Sequence, residues 1–497
     1  MRISAARRGV VANGTSRSLQ SLALRGSALS VVTYGFGRVL QLGSNLILTR
    51  LLLPEAFGLM ALVNVFVIGL SMISDLGIAP SIVQSPRGED KAFLDTAWTA
   101  SIARGFALWL FACAVAVPAA HFYEQPDLVH MIPVAAFATV ISGFEATASA
   151  RFQRQLRLGP LVVMEFGSQL LGIAVMVAWA AMYRTVWALL AGALVGAVVR
   201  TTLSHWLSDR RDRIGWDPAA ARDLLHYGKW ILASTLLAFL STYLDRLIFG
   251  KTIPVGMLGI YNIAAMLAAM PGELSTRLGA SIVFPAFSRK LETAELGSSY
   301  NRTKLPLLML VGVALAPLIA AGTPLIDTLY DRRYHDAGWL LQLLACGTWF
   351  RALEVSPSSV LLAAGEPRWI AVGHAAKVTA IATFVPLGLW VAGFPGAVIG
   401  LSCTQLVLYL VATLRARRHG ISGTRDDLLM TSILALSAAV GLFVATRIAA
   451  VGAASAVQLV AASACSMLAW SVGAYLLLLR EGLSFRLLFR GTFSPAE

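Results

Sequence analysis

Apolar runs of about 20 residues recur along this 497-residue chain and constrain its fold more than any other feature. A helix rises 1.5 Å per residue, so about 20 apolar residues cross a hydrocarbon core about 30 Å thick. The runs lie at 27–52, 56–80, 97–120, 128–150, 160–181, 185–207, 229–250, 255–279, 304–328, 336–363, 368–392, 395–414, 428–447 and 455–479. They do not alternate, as the roughly ten-residue strands of a membrane barrel do. Only 13% of residues are charged, against about 25% in a soluble domain, and mean hydropathy is +0.72. Too little polar surface remains to face water. That shortage excludes a soluble enzyme, a nucleic-acid-binding domain and a disordered chain. The expected fold is an all-α polytopic membrane protein of about 14 transmembrane helices. Two pseudo-symmetric six-helix lobes, related as parallel repeats, precede two C-terminal helices.

The distribution of Lys and Arg predicts orientation, because cytoplasmic loops carry the excess. With the N-terminus inside, the inner segments hold 27 of the 40 Lys and Arg, the outer segments six and the spans seven. Both termini are therefore expected in the cytoplasm, with an even number of spans; twelve is the alternative. The expected organisation begins with a basic tail (1–26), an N-terminal lobe (27–207) and a cytoplasmic linker with an interfacial helix (208–228). A C-terminal lobe (229–414), a cytoplasmic loop (415–427), two further spans (428–479) and a cytoplasmic tail (480–497) follow. Asp217 and Pro218 mark a helix start, as N-cap and first helical residue. The basic start of the chain reads as a retained cytoplasmic tail, although an Arg- and Ser-rich, acid-poor start also resembles a transit peptide. The net charge of +14 is spread over many short loops facing anionic lipid, so no nucleic-acid partner is expected. Cys113, Cys346, Cys403 and Cys465 lie in different apolar runs and read as packing residues. No disulfide, metal site or cofactor is expected.

Two halves of the chain look related. Asn45 to Val63 reads NLILTRLLLPEAFGLMALV, and Asp245 to Ile263 reads DRLIFGKTIPVGMLGIYNI. Pro54 aligns with Pro254, and one inserted residue then aligns Gly58 with Gly259. Both stretches sit between the first and second spans of their halves, which start on the same side. A transporter plan of this kind places the substrate path between the halves.

The run RLLLPEAFG, Arg50 to Gly58, resembles a signature of bacterial polysaccharide-transporter flippases. SDLG at Ser74 to Gly77, SIVQ at Ser81 to Gln84 and MLGIYN at Met257 to Asn262 resemble further motifs of that family. It is the Wzx-type branch of the MOP superfamily, which also holds the MATE exporters and the lipid II flippase. The resemblance implies a bacterial inner-membrane protein. It would move undecaprenyl-diphosphate-linked oligosaccharide from the cytoplasmic to the periplasmic leaflet for exopolysaccharide, capsule or O-antigen synthesis. A polysaccharide polymerase and a chain-length regulator are the partners expected beyond substrate and membrane lipid.

Charges at membrane depth point to the site. A cation at a helix centre costs about 2.5–3.5 kcal/mol on insertion scales. Arg38, Arg351 and Lys377 lie nearest mid-span and snorkel poorly. Arg104, Arg200 and Arg277 lie toward the cytoplasmic end of their spans, and Arg246 toward the outer end. Arg38 and Lys377 have no acid at helical spacing in their spans. Arg351 has Glu354 three residues on and can pair locally. Arg246 follows Asp245 directly, so the two are expected to point to different faces. Arg38, Lys377, Arg351 and Arg246 are thus the candidate cations of a substrate cavity, suited to a diphosphate. Asp75 and Arg277, at nearly matching repeat positions, form a candidate inner gate.

Two other functions compete. A cation-coupled multidrug exporter of the same architecture favours an acidic cavity, whereas the mid-span balance here is basic. A membrane polymerase or ligase needs a large outer loop, and the longest here is about ten residues. No GxxxxGK[ST] sequence for a nucleotide-driven pump occurs.

Overall fold

A computed structural model describes residues 35–74, 78–292, 296–421 and 423–480. Asp75 and both tails lie outside the described residues, as do the side chains of 223–234. Among the described residues every regular element is helical. Inside a membrane this follows from hydrogen bonding, since a helix satisfies its own backbone where water cannot.

The order is α1 (35–51), α2 (Pro54–Ile73), α3 (Ile78–Gln84), α4 (Lys91–Tyr123), α5 (Leu128–Gly143), α6 (Ala148–Arg154), α7 (Leu158–Tyr183) and α8 (Trp187–Trp206). Then come α9 (Pro218–Thr252), α10 (Val255–Leu278), α11 (Phe284–Glu292), α12 (Leu296–Leu329), α13 (Ala337–Ala363), α14 (Pro367–Ala416), α15 (Thr424–Ala450) and α16 (Ser455–Arg480). Among the described residues, nine helices are long and apolar enough to cross a membrane, or ten if α5 and α6, bent by 62°, form one span. The protein is a multi-pass membrane protein.

The chain divides into two compact units. The first comprises residues up to 52 and 66–235, the second 53–65 and 236–497. The N-terminal part of α2 thus clusters with the second unit, where the sequence places all of 27–207 in one lobe.

Local chemistry sets the helix ends. Asp217 caps α9 by accepting from the Ala219 N–H at 3.1 Å, and Pro218 opens the helix as expected. The expected interfacial helix does not stop near Gly228, however. It runs on to Thr252 as one 35-residue element. A single interior Gly costs about 1 kcal/mol and does not break a helix by itself.

The 50-residue α14 contains the opposite surprise. Gly393 takes φ 64°, ψ −151°, a conformation essentially confined to glycine. A methyl on Gly388 would lie 2.3 Å from the Gly396 carbonyl oxygen, and one on Gly400 2.5 Å from that of Phe384. Sixteen residues of straight helix would put Phe384 and Gly400 about 24 Å apart. The chain therefore reverses at Gly393, and α14 is a hairpin of two limbs. These limbs correspond to the separate runs 368–392 and 395–414.

Among the described residues the second unit has a large core. Trp349 and Trp470 meet edge to face at 5.6 Å. The Trp470 Nε1–H donates to the Met309 carbonyl at 3.0 Å. Its ring fills the space over Gly312, where a methyl would come within 2.0 Å of a ring carbon. Lys304, buried on α12, pairs with Asp427 of α15. The Tyr409 hydroxyl donates to the same carboxylate at 2.7 Å. These contacts join α15 and α16 to the unit.

The repeat glycines also meet here. A methyl on Gly58 would lie 1.9 Å from the Val255 carbonyl oxygen, and one on Gly259 1.9 Å from that of Pro54. The near-reciprocal contact explains both glycines, because only hydrogen fits where two backbones cross this closely. Beside it, Phe57 packs edge to face on Tyr334 at 6.0 Å.

Candidate functional site

Within the second unit, α9, α10, α13 and α14 bring polar groups together among apolar surroundings. Ser241 and Asp245 are four residues apart on α9 and share a face. Buried Asp245 accepts from the Tyr261 hydroxyl of α10. Arg246 folds back on Asp245, with Nη1 3.4 Å from Oδ1. Its Nε donates to Asn262 Oδ1 at 3.4 Å, and its guanidinium lies over the Tyr243 ring at 5.4 Å. His374 and Lys377 are three residues apart on α14. His374 Nδ1 is 2.9 Å from Ser241 Oγ.

Lys377 is buried and lies within electrostatic range of Arg351, Asp245 and Glu354. The Arg351 stem passes Gly272 of α10, where a methyl would sit 3.6 Å from Cδ. One turn earlier, the Thr348 hydroxyl donates to the Ala268 carbonyl at 3.0 Å and holds α13 against α10. Among the described residues, neither Lys377 nor Arg351 makes an ion pair or a hydrogen bond.

Three of the four predicted cavity cations therefore lie in one unit, on different terms. Arg246 does not point away from Asp245. Its long side chain turns back, and the pair is held by Tyr261 and Asn262 from another helix. The local Arg351–Glu354 pair is absent as well, because Glu354 accepts from the Ser358 hydroxyl one turn on. Lys377 and Arg351 then face one nearby carboxyl, Glu354, that is not itself in an ion pair, so the local balance is cationic. Ammonium and guanidinium groups at low dielectric suit a phosphate-type anion.

Arg38 lies in the first unit on α1. Its Nη1 donates to Gln41 Oε1 at 2.6 Å. Arg104 is bonded to the Ser74 hydroxyl at 3.0 Å and the Ser71 carbonyl at 2.7 Å. Arg200 bridges Glu145 at 3.1 Å and Glu165 at 2.7 Å. Arg277 is exposed at the end of α10. Its expected gate partner, Asp75, lies outside the described residues.

Sequence reasoning missed Ser241, Tyr261, Asn262 and His374. His374 had a signal, three residues before Lys377 on the same run, and Tyr261 and Asn262 stand in the MLGIYN motif, but their roles and that of Ser241 depend on contacts between helices. Polar clasps also form at span ends. The Arg87 guanidinium, at 2.8 Å, and the Ala219 N–H hold the Asp217 carboxyl below its ordinary range. Arg415 does the same to Glu366 through bonds of 2.7 and 2.6 Å.

The sequence pattern of the family described as "Polysaccharide biosynthesis protein" matches residues 47–338. The chain is similar to the lipopolysaccharide biosynthesis protein WzxC of Escherichia coli (strain K12), at 23% identity over 76% of each chain. It is similar to the succinoglycan biosynthesis transport protein ExoT of Rhizobium meliloti (strain 1021), at 23% identity over 60% of each. Its fold is similar to that of the lipid II flippase MurJ in an inward closed conformation. There the TM-score is 0.71 at 12% identity, covering 91% of this chain and 99% of the other. An inward-facing multidrug resistance MATE family transporter of the MOP superfamily gives 0.63 at 15% identity, covering 77% and 94%.

Proposed function

The chain belongs to the polysaccharide biosynthesis protein family, and from that premise we propose that it is a flippase for lipid-linked oligosaccharide. It moves undecaprenyl-diphosphate-linked repeat units from the cytoplasmic to the periplasmic leaflet of a bacterial inner membrane. Fourteen spans, both termini in the cytoplasm and alternating access around a cationic cavity complete the reading. The likeness of the fold to those of a flippase and an exporter supports a transporter over a polymerase or ligase.

One observation supports the substrate class: Lys377 and Arg351 lie in runs that the sequence reads as membrane spans, and they make no ion pair among the described residues. Such an arrangement is costly unless an anion is present for part of the cycle. Arg38 is the contribution proposed for the N-terminal lobe, and Asp75 with Arg277 the inner gate. A diphosphate carries about two negative charges outward, and a potential negative inside favours this by about 2.3 kcal/mol per charge per 100 mV. The membrane potential is thus a sufficient driving force.

The test is a deletion strain fed radioactive sugar. Undecaprenyl-linked repeat units accumulating on the inner leaflet, with complementation by the wild-type chain but not by Lys377→Gln, support the reading. Unchanged polysaccharide with altered drug tolerance would overturn it in favour of an exporter.

A further inference from the structure

The segment between α8 and α9 shows large apolar side chains outward beside basic ones. Ile214 is 82% exposed and Trp216 63%, and Trp206 at the end of α8 is 78% exposed. Residues 211–217 form no helix, yet they are pinned along their length. Asp95 accepts from the Arg210 guanidinium at 2.6 Å and the Arg213 N–H at 3.2 Å. The hydroxyls of Thr99 and Thr96 accept from the N–H groups of Gly215 at 3.0 Å and Asp217 at 2.9 Å.

Each acid of the segment is engaged. Asp209 pairs with Arg157 at 2.9 Å. Asp212 accepts from the N–H and hydroxyl of Thr147 at 2.7 and 2.8 Å. Asp217 pairs with Arg87 at 2.8 Å. Arg211 and Arg213 are exposed, and their side chains make no ion pair or hydrogen bond among the described residues. The non-helical backbone turns Asp212, Gly215 and Asp217 in and Arg211, Arg213, Ile214 and Trp216 out.

We infer that this segment is a docking surface for the anionic headgroups of the cytoplasmic leaflet. Tryptophan rings prefer the headgroup layer, and Ile214 adds apolar area. Arginine buries its stem while its guanidinium reaches phosphate. Two basic residues near an anionic surface contribute about tenfold or more to local lipid enrichment. The segment also leaves α8 at the predicted inner end of its span, at headgroup depth. Because its partners Asp95, Thr96 and Thr99 lie on α4, lipid contact here steadies the inner end of that helix.

The test uses the full chain in nanodiscs containing brominated phosphatidylglycerol or brominated phosphatidylcholine. Trp216 emission is taken as the difference between wild type and Trp216→Phe. Quenching by phosphatidylglycerol is expected to be about twice that by phosphatidylcholine or more. In R211Q/R213Q the preference should vanish while the unfolding midpoint stays unchanged. Equal quenching by both lipids in the wild type would overturn charge selection and with it the proposal. No quenching by either would also overturn it, leaving the face to water or to an acidic protein surface. Both leaflets of a nanodisc share one composition, so neither orientation nor transport affects the outcome.

Discussion

At the scale of single residues, the same guanidinium chemistry serves different ends according to its partners. Arg246 is neutralised by Asp245, whereas Arg351 and Lys377 have no ion pair among the described residues. A charge-assisted hydrogen bond to substrate contributes about 1.5–3 kcal/mol. Lys377→Gln and Arg351→Gln should therefore each slow flux about tenfold or more in proteoliposomes, with little change in thermal stability. Arg246→Gln should lower stability instead, because buried Asp245 loses its ion-pair partner. The Lys304–Asp427 pair makes a second prediction. Removing one partner of a buried pair costs about 3–5 kcal/mol, so Lys304→Ala should unfold at clearly lower temperature in detergent. Lys304→Met with Asp427→Leu should cost less than the single change. Lys377 was legible in sequence because no acid stands at helical spacing from it. The state of Arg246 was not, since Tyr261 and Asn262 lie fifteen and sixteen residues away on another helix.

At the scale of elements, glycine decides where two backbones touch and where one reverses. The turn within α14 requires a backbone at Gly393 that other residues adopt at a cost of about 1–3 kcal/mol. Gly393→Ala should show that loss in thermal unfolding. Gly58→Ala should be worse tolerated than Gly43→Ala. A methyl at Gly58 meets the Val255 carbonyl, and one at Gly43 meets nothing within 4 Å. Comparing the two unfolding midpoints checks the crossing of α2 and α10 directly. The hydropathy pattern read the two limbs of α14 as separate runs, because Gly393 and Pro395 interrupt it. The same pattern divided α9, because a polar stretch looks like a boundary even where the backbone hydrogen bonds continue.

At the scale of the whole molecule, charge is sorted. Acids at the span ends are paired with Arg, as in Asp217 with Arg87 and Glu366 with Arg415. Both carboxyls are held below their ordinary range, so the folded state binds their protons less readily than the unfolded state. Their contribution is present at neutral pH and is lost as pH falls through the lowered values. The unfolding midpoint should stay level from pH 7 to about 5 and drop below about pH 4. Glu366→Gln should remove part of that drop.

The primary structure alone determined the class of protein and the positions of its apolar runs. Low charge density and 20-residue apolar stretches admit few structures other than membrane helices, whose backbone bonds close within each segment. It also singled out the cations within apolar runs, because a charge in such a run is conspicuous without any fold. Tertiary structure alone decided which of those cations are neutralised, which glycines touch and which acids turn inward. These outcomes depend on partners far apart in sequence and on side-chain rotamers, and neither is written in the periodicity of a single helix.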